Sequence, residues 1–225
     1  MVRYLIGALS GHQMAGRRAD CLRTWMTDCE LLNIPAVFLV GIENLAVPDL
    51  RGHTLLLPCP DAENTLSLRT RWFCEWALAR DDWDYLVKCD DDTYISAIRL
   101  SSYQPTGEYV GSVMRPSQPI EEYFGTFCSG GAGYLISRRC AKIIAEQMTD
   151  INIAEDVIVG KLMSANGISP INEPRFVPFD ARPAICNNLI TSHHLSCDLF
   201  NQIHSEVGVK AMFNISSFVW ERIGS

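Results

Sequence analysis

Short apolar runs alternate with longer amphipathic segments along this chain, and that alternation limits the possible folds more than any other feature. Strands are predicted where the apolar runs are rich in β-branched and aromatic residues, at residues 2–9, 35–40, 53–57 and 84–87. The intervening residues 17–30 and 61–80 are predicted helices, and the second carries Leu68, Trp72 and Trp76 at helical spacing. Strands that alternate with helices favour an α/β fold with a mostly parallel central sheet flanked by helices.

The second half of the chain continues this pattern. We expect an extension of the sheet, a glycine-rich turn with a strand, a helix and a proline-rich loop, at residues 109–114, 130–136, 137–148 and 170–183. A last amphipathic helix is predicted from Glu155 to the terminating pair Asn166 and Gly167. Because no repeat or linker interrupts the pattern, we expect one domain over residues 1–225.

Charge and hydropathy exclude some partners. The net charge is −7 and no block is rich in Lys or Arg, which argues against nucleic-acid binding. The longest apolar stretch, residues 34–42, is far shorter than the roughly 20 residues of a membrane-spanning helix. The apolar run at residues 4–9 is too short for a signal-peptide core of about 7–15 residues. If Met1 is the natural start, a cytoplasmic location is expected.

The cysteines form no recognisable ligand or disulfide pattern. There are nine, spread from Cys21 to Cys197, and no two have C-x-x-C spacing. Without a secretion signal, small buried thiols in a reducing compartment are favoured over disulfides.

Three consecutive carboxylates, Asp90, Asp91 and Asp92, follow the predicted strand at residues 84–87. Open α/β sheets bind ligands beyond the carboxyl ends of their strands. Adjacent carboxylates repel one another, and a hard divalent cation such as Mn²⁺ or Mg²⁺ would offset that repulsion. On an extended backbone Asp90 and Asp92 point together while Asp91 turns elsewhere. The alternative interpretation is a solvated acidic turn.

Four further groups are candidates, each with an ordinary structural alternative. The glycines around Gly130 and Gly131 allow either a tight turn or close approach of a ligand to the backbone. Glu155 and Asp156 begin a predicted helix, so they either favour its dipole or supply a general base. His193 and His194 are either metal ligands or ordinary surface or core residues. The cations that follow the first strand either bind a diphosphate or form a solvated helix face; they are Arg17, Arg18 and Arg23.

Five motifs in order resemble the β-1,3-glycosyltransferases, which include galactosyl- and N-acetylglucosaminyltransferases, the core-1 synthase and Fringe. They are Arg18 with residues 23–25, then residues 64–70, 88–94 and 128–134, and finally residues 155–157 with Gly160. The resemblance spans roughly residues 4–194. Five motifs in order are far more specific than any one of them.

The resemblance implies a GT-A fold that binds a UDP-sugar and Mn²⁺ (or Mg²⁺) and transfers the sugar with inversion to a glycan acceptor, through a β-1,3 linkage. It assigns Asp90 to Asp92 to the metal and diphosphate, with Asp92 as the direct ligand. His193, or His194 beside it, completes the metal shell. Asp156 is the implied catalytic base, with Glu155 as its neighbour at the same motif.

The remaining assignments divide the chain between donor and acceptor. Residues 1–115 are expected to bind the nucleotide-sugar and metal, through Arg18 and Arg23 among others, and residues 116–225 the acceptor, with Gly130 and Gly131 lining the sugar side. Two departures from the family are Arg69 in place of a lysine and the absence of an N-terminal membrane helix and stem. The alternative location is therefore the Golgi lumen, if this is an excised catalytic domain.

Two other functions remain open on the sequence alone. Clustered aspartates at strand ends also serve two-metal phosphodiesterases and nucleotidyltransferases. A carbohydrate-binding protein of the same fold without turnover is the second. The motifs do not identify the donor sugar, the acceptor or the oligomeric state.

Overall fold

The computed structural model describes residues 2–116, 123, 125–149, 153–179 and 188–209. Within them the strands are Tyr4–Leu9 (β1), Ala36–Gly41 (β2), Asp49–Arg51 (β3), Thr54–Leu57 (β4), Tyr85–Asp90 (β5), Tyr94–Ile95 (β6), Tyr109–Gly111 (β7), Val113–Met114 (β8), Phe127–Cys128 (β9), Tyr134–Ser137 (β10), Ile171–Asn172 (β11), Phe176–Val177 (β12) and Thr191–Ser192 (β13). The helices are Ala15–Arg23 (α1), Trp25–Leu31 (α2), Leu66–Leu78 (α3), Ala97–Ser102 (α4), Arg138–Gln147 (α5), Glu155–Ala165 (α6) and Cys197–Val207 (α7), and a 3₁₀ turn at Glu63–Thr65 precedes α3.

The central sheet has eight strands in the order β11-β7-β10-β5-β1-β2-β4-β3. The centre, β5-β1-β2-β4, is parallel throughout and confirms the α/β prediction. Antiparallel pairs join β10 to both β5 and β7, and β3 to β4, so the whole sheet is mixed. Because β10 lies between β5 and β7, strands from both halves of the chain share one sheet.

Each face of the sheet has its own apolar core, as the alternation along β1 shows. Tyr4, Ile6 and Ala8 pack in one core with residues of α1, α2, α4 and α7. Leu5 and Leu9 point to the other, with residues of α3, α5 and α6. Since β1 is buried on both faces, its sequence is a continuous apolar run, as expected for a central parallel strand.

The structure corrects the predicted helix at residues 17–30, which is two helices divided at Thr24. This residue leaves the helical region at φ −117° and ψ −108°. Its hydroxyl donates a hydrogen bond of 2.7 Å to the carbonyl of Asp20. A threonine side chain that bonds the preceding turn competes with helix continuation.

The helix from Glu155 is not the last one, because α7 follows it. The hydroxyl of Ser196 accepts a hydrogen bond from the backbone of Leu199 and caps this helix. Phe200, Ile203 and Val207 form its buried face at helical spacing. That pattern was present in the sequence and was missed. The predicted loop at residues 170–183 contains β11 and β12, while residues 180–183 lie outside the described part.

The eight cysteines within the described residues are all free, and seven of them are buried. This matches the preference for buried thiols, with Cys197 as the exposed exception. Among the helices of the described residues, none is both long and apolar enough to cross a membrane.

Candidate active site

The candidate site lies where the carboxyl ends of β1 and β5 meet the start of β10. Leu9 pairs with Asp90 at the ends of the two parallel strands. The antiparallel strand β10 begins at the same edge, where Tyr134 pairs with Lys88. The loop after β1, the three aspartates and the glycine turn before β10 therefore come together at one edge of the sheet.

The three aspartates have different surroundings. Asp91 is buried, and its Oδ1 accepts a hydrogen bond of 3.2 Å from Arg17. Asp90 and Asp92 instead both lie near His193, whose Nε2 is 3.7 Å from Asp90 Oδ2 and 3.1 Å from Asp92 Oδ1. Asp90 and Asp92 therefore both face His193 while Asp91 turns toward α1. The predicted arrangement is present, but its cause is a turn and not an extended backbone, because β5 ends at Asp90 and the N–H of Thr93 bonds to the carbonyl of Asp90.

Pairing of the two short strands β6 and β13 brings His193 to the aspartates. Ser192 pairs with Tyr94, so His193 leaves β13 directly beside the segment that carries Asp92. The His193 Nδ1 is 3.1 Å from the carbonyl of Pro178. When Nδ1–H donates to that carbonyl, the lone pair of Nε2 faces Asp92. Metal-binding histidines are commonly oriented by such a second hydrogen bond.

These residues fit a divalent cation. Ligand atoms of Asp92, His193 and His194 all lie within 4.8 Å of one another. Asp92 Oδ1 is buried with His193 Nε2 3.1 Å away, and when Nε2 carries no proton the ionised oxygen is costly unless a cation offsets it. A carboxylate with imidazole suits Mn²⁺. Asp90 Oδ2 is 3.7 Å from His193 Nε2 but does not belong to this group of three. His194 is exposed and has a positive φ of 62°.

Charges within the cluster shift its proton affinities. Burial raises the pKa of Asp92, but His193 and Arg17 outweigh that effect and hold it below its usual value. Burial lowers the pKa of His193, and the carboxylates of Asp92 and Asp90 raise it to a net increase. Burial also raises the pKa of Asp91, where Arg17 opposes the shift without cancelling it. Of Asp91 and Asp92, it is therefore Asp92 whose ionised form is favoured by its surroundings.

The glycine turn is both a turn and a close-approach site. Gly133 has a positive φ of 88° and its N–H bonds to the carbonyl of Gly130, which closes the turn. A Cβ on Gly131 would lie 2.2 Å from Cε1 of His193, a separation that real side chains do not show. A Cβ on Gly130 would lie 3.0 Å from Glu155 Oε2. Glycine is thus required at position 131 for His193 to reach the turn, while at position 130 a side chain would fit only if the residues of α6 and Lys88 shifted by a few tenths of an ångström.

The two acids at the start of α6 are in unlike positions. Glu155 is buried, with Oε2 3.1 Å from Lys88 Nζ and Oε1 accepting a 2.5 Å hydrogen bond from the Tyr134 hydroxyl. Burial raises the pKa of Glu155, and Lys88 opposes that shift. Asp156 is only partly buried, and its Oδ2 accepts a 2.9 Å hydrogen bond from the backbone of Gly130. Asp156 is therefore the acid better placed to exchange a proton with a bound molecule.

Two adjoining cavities contain these groups. The larger, about 750 Å³, is bordered by the loop after β1, by Arg17 and by all three aspartates. The smaller, about 430 Å³, is bordered by Gly130, Gly131 and Asp156 among others. Glu63, Leu66 and Asp90 belong to the walls of both. Asp90 therefore lies at the junction of two cavities, one with the candidate metal-binding carboxylates and one with the candidate base.

The arginines near β1 have separate roles. Arg17 borders the larger cavity and contacts Asp91 and Asp92, so it is the member of the group best placed to meet a bound anion. Arg18 donates to the hydroxyl of Ser10 at 3.0 Å and to the carbonyl of Gly11, which braces the loop after β1. Arg23 is exposed and pairs with Asp20. The sequence resemblance assigned Arg18 and Arg23 to the nucleotide. In the structure it is Arg17 that borders the cavity, while Arg18 and Arg23 contact other parts of the protein.

Arg69, which replaces the lysine of the family, is buried beneath the larger cavity. It donates to the carbonyls of Ser10 at 2.6 Å and Ala62 at 2.8 Å, and it forms an ion pair of 3.1 Å with Asp61. Asp61 in turn accepts a 2.7 Å hydrogen bond from the backbone of His12. Arg69 thus holds together the two loops that form this cavity wall, and its forked guanidinium suits that task.

Comparison with known proteins places this architecture in a family. Residues 43–204 match the Fringe-like family, a segment that contains the aspartates, the glycine turn, α6 and both histidines. Two curated relatives from Arabidopsis thaliana, the hydroxyproline O-galactosyltransferases GALT6 and GALT5, are each 23% identical to this chain over 87% of its length. The chain spans about a third of the length of these relatives, 33% and 34% respectively.

Solved structures share the fold at low sequence identity. A glycosyltransferase involved in glycosylation of the major capsid of PBCV-1 has a TM-score of 0.53 and 11% identity, covering 88% of this chain and 99% of its own. The galactosyltransferase LgtC, in complex with donor and acceptor sugar analogs, has a TM-score of 0.50 and 14% identity, with coverage of 90% and 95%. The inositol-1-phosphate CTP transferase from T. maritima also has a TM-score of 0.50, at 11% identity, with coverage of 92% and 98%.

The fold alone therefore accommodates both sugar transfer and nucleotidyl transfer. The family match distinguishes them, because it covers more than half of the chain and contains four of the five motifs. The expected GT-A fold and the expected enzyme class are confirmed, and the chain belongs to the Fringe-like family of glycosyltransferases.

Proposed function

We propose that this chain is a metal-dependent, inverting transferase that moves a hexose or N-acetylhexosamine from a UDP-sugar to a hydroxyl group of a glycan acceptor, forming a β-1,3 linkage. The observation that carries the proposal is the junction of the two cavities at Asp90. One cavity offers the carboxylates of a metal site and a cation, and the other offers a candidate base. A sugar bonded to a diphosphate needs both kinds of group on opposite sides of the bond that breaks.

The larger cavity suits the nucleotide and its diphosphate. Asp92, His193 and His194 would hold Mn²⁺ or Mg²⁺, and Asp90, whose Oδ2 is 3.7 Å from His193 Nε2, would join them by a small movement of its carboxylate. The bound metal would act as a Lewis acid and neutralise charge on the leaving diphosphate. Arg17, half exposed beside Asp92, can add a forked contact to the same phosphates.

The smaller cavity suits the transferred sugar and the acceptor. An acceptor hydroxyl is a weak nucleophile, and Asp156 would take its proton during attack on the anomeric carbon. The backbone N–H groups of Gly130 and Val157 each donate 2.9 Å hydrogen bonds to the Asp156 carboxylate and fix its direction. Attack from the side opposite the diphosphate inverts the anomeric configuration in a single displacement.

Galactose is the donor sugar we propose to test first. Both curated relatives carry the name hydroxyproline O-galactosyltransferase, which names a galactose donor and a hydroxyproline acceptor for those proteins. UDP-N-acetylglucosamine and UDP-glucose complete the donor panel, because a few contacts in a sugar pocket decide between such substrates.

The test is release of free UDP from each donor with Mn²⁺, with and without a hydroxyl acceptor series. We compare the wild type with Asp92→Ala and Asp156→Asn, and use Asp49→Asn as the matched control because Asp49 is on the edge strand β3. The expected result is release from one donor that EDTA abolishes, that both site variants lose by at least about 100-fold and that the control retains.

Two other outcomes would contradict the proposal. Tight, Mn²⁺-dependent UDP binding without turnover on any donor or acceptor would identify a binding protein. Absence of UDP binding, combined with pyrophosphate release from a nucleoside triphosphate and a sugar or polyol phosphate, would identify a nucleotidyltransferase.

A further inference from the structure

The ammonium group of Lys88 lies at the centre of a buried cluster that the proposed reaction does not itself use. Lys88 is 3% exposed. Its Nζ is 3.1 Å from Asp90 Oδ1, 3.1 Å from Glu155 Oε2 and 3.2 Å from the carbonyl of Gly130. An ammonium group has three N–H donors, so each donor has one acceptor.

Those three acceptors come from three separate segments of the candidate site. Asp90 ends β5 and lies at the junction of the two cavities. Gly130 belongs to the glycine turn, and its N–H donates to the carboxylate of Asp156. Glu155 is the first residue of α6 and precedes Asp156 directly. A single cation therefore fixes the positions of the strand end, the turn and the helix start around the smaller cavity.

Tyr134 completes the cluster from the other side of Glu155. Its hydroxyl donates a 2.5 Å hydrogen bond to Glu155 Oε1, and Lys88 Nζ lies 5.8 Å from the centre of its ring. Glu155 is thus held by Tyr134 at one oxygen and by Lys88 at the other. Although Glu155 borders the smaller cavity, both of its carboxylate oxygens therefore already have protein partners.

Stability alone gives little reason for this arrangement. Removing an ammonium and a carboxylate from water is costly for each ion, and apolar residues of similar volume are often neutral or stabilising in the same place. The cluster also contains more acidic than basic groups, because the two carboxyl groups of Asp90 and Glu155 both contact the single cation of Lys88. A buried ion pair with this cost is better explained by what it positions.

We propose that Lys88, Glu155 and Tyr134 form a positioning triad that holds Asp90 and Asp156 in register across the smaller cavity, so that Glu155 is a positioning residue and not a second base. The inference rests on the proposed function of the same site. Lys88, to which the sequence motifs gave no role, would position the two acids. The adjacent acids would have different roles, with Glu155 positioning the site and Asp156 acting as the base.

The test is the double variant Lys88→Met/Glu155→Leu, which removes both charges of the fully buried pair at similar volume and leaves only the part-exposed Asp90 without its cation. The matched control is Arg3→Met/Asp84→Leu. That ion pair of 2.7 Å lies at the starts of β1 and β5, at the opposite edge of the sheet from the candidate site. We expect the site variant to fold and to bind UDP within about threefold of the wild type, while kcat falls about 100-fold, since displacement by about 1 Å is enough for such a loss. The control keeps the wild-type kcat.

Smaller changes keep the inference testable if the double variant does not fold. Glu155→Gln keeps the side-chain shape, so we expect kcat to fall about tenfold or more while the acid limb of the pH profile of kcat persists, because the proposed base, Asp156, is still present. Loss of that limb in Glu155→Gln would make Glu155 the base and overturn the inference. Tyr134→Phe removes only the hydroxyl, and we expect a severalfold loss of kcat with an unchanged KM for the donor.

The outcomes separate this inference from the proposed function. If the wild type neither binds UDP nor releases it from any donor, the proposed function fails and the inference with it. If the wild type is active and the folded double variant keeps kcat within about threefold, only the positioning triad is refuted. A variant that loses UDP affinity at unchanged kcat would also refute it, because Lys88 would then be a binding residue.

Discussion

Substitution of Gly131 by alanine should damage metal binding without unfolding the protein. The added Cβ would lie 2.2, 2.5 and 2.6 Å from Cε1, Nε2 and Nδ1 of His193, so it meets the face of the ring and not a flexible end. Gly131 is not among the positive-φ glycines, so alanine introduces no backbone strain there. The whole effect is steric and falls on one side chain.

The size of the effect follows from those distances. Ordinary van der Waals contact begins at 3.4 Å, so the ring must retreat by about 1.2 Å. His193 cannot do so without stretching its 3.1 Å contact with the Pro178 carbonyl and moving Nε2 away from Asp92. Loss of orientation at a metal ligand typically costs 10–100-fold in metal affinity, which is about 1.4–2.8 kcal/mol.

The assay is calorimetric titration of Mn²⁺ in the presence of UDP, with thermal unfolding measured in parallel. Gly16→Ala is the matched control, because Gly16 lies in α1 and a Cβ there meets nothing within 4 Å. The control should bind Mn²⁺ normally and be slightly more stable, since alanine favours a helix over glycine. Wild-type Mn²⁺ affinity in a folded Gly131→Ala protein would refute the reasoning and remove His193 from the proposed metal shell.

Three further predictions follow from the described residues. Arg17→Ala should raise KM for the UDP-sugar about tenfold, because Arg17 borders the larger cavity, while Arg23→Ala should leave steady-state kinetics unchanged. Iodoacetamide should label Cys197 far faster than the seven buried cysteines in the described part of the chain, as peptide mass spectrometry can measure. The hydrogen bonds from Arg3 lower the pKa of Asp84, so their stabilisation is present above about pH 4 and is lost as the pH falls through the lowered value. The difference in melting temperature between wild type and Asp84→Asn should therefore shrink between pH 5 and pH 3.

The parallel centre of the fold could be predicted because its strands carry their own pattern. The predicted strands at residues 2–9, 35–40, 53–57 and 84–87 correspond to β1, β2, β4 and β5, which are apolar runs bounded by loop residues. The aspartates follow one of these strands, so their place at the carboxyl edge could be predicted as well.

Pairings between distant short strands could not be predicted in the same way. The strands β6 and β13 have two residues each, too few for a hydrophobic period, yet their pairing brings His193 to Asp92. The choice among the arginines of α1 failed for another reason. Consecutive helical residues point about 100° apart, so only packing decides that Arg17 borders the cavity while Arg18 braces the loop behind it.

The geometry of the glycine turn explains why the motifs, which are far apart in the sequence, depend on one another. A side chain at Gly131 would exclude the His193 ring, and one at Gly130 would press on the pair formed by Lys88 and Glu155. Gly130 donates its N–H to the proposed base, Asp156, and Gly131 packs against the proposed metal ligand, His193. Only the peptide unit between these two glycines therefore separates the two parts of the site. Because each motif leaves the space that its neighbours occupy, a substitution in one motif should displace the side chains of the others. The losses of kcat caused by combined substitutions should therefore be far from additive.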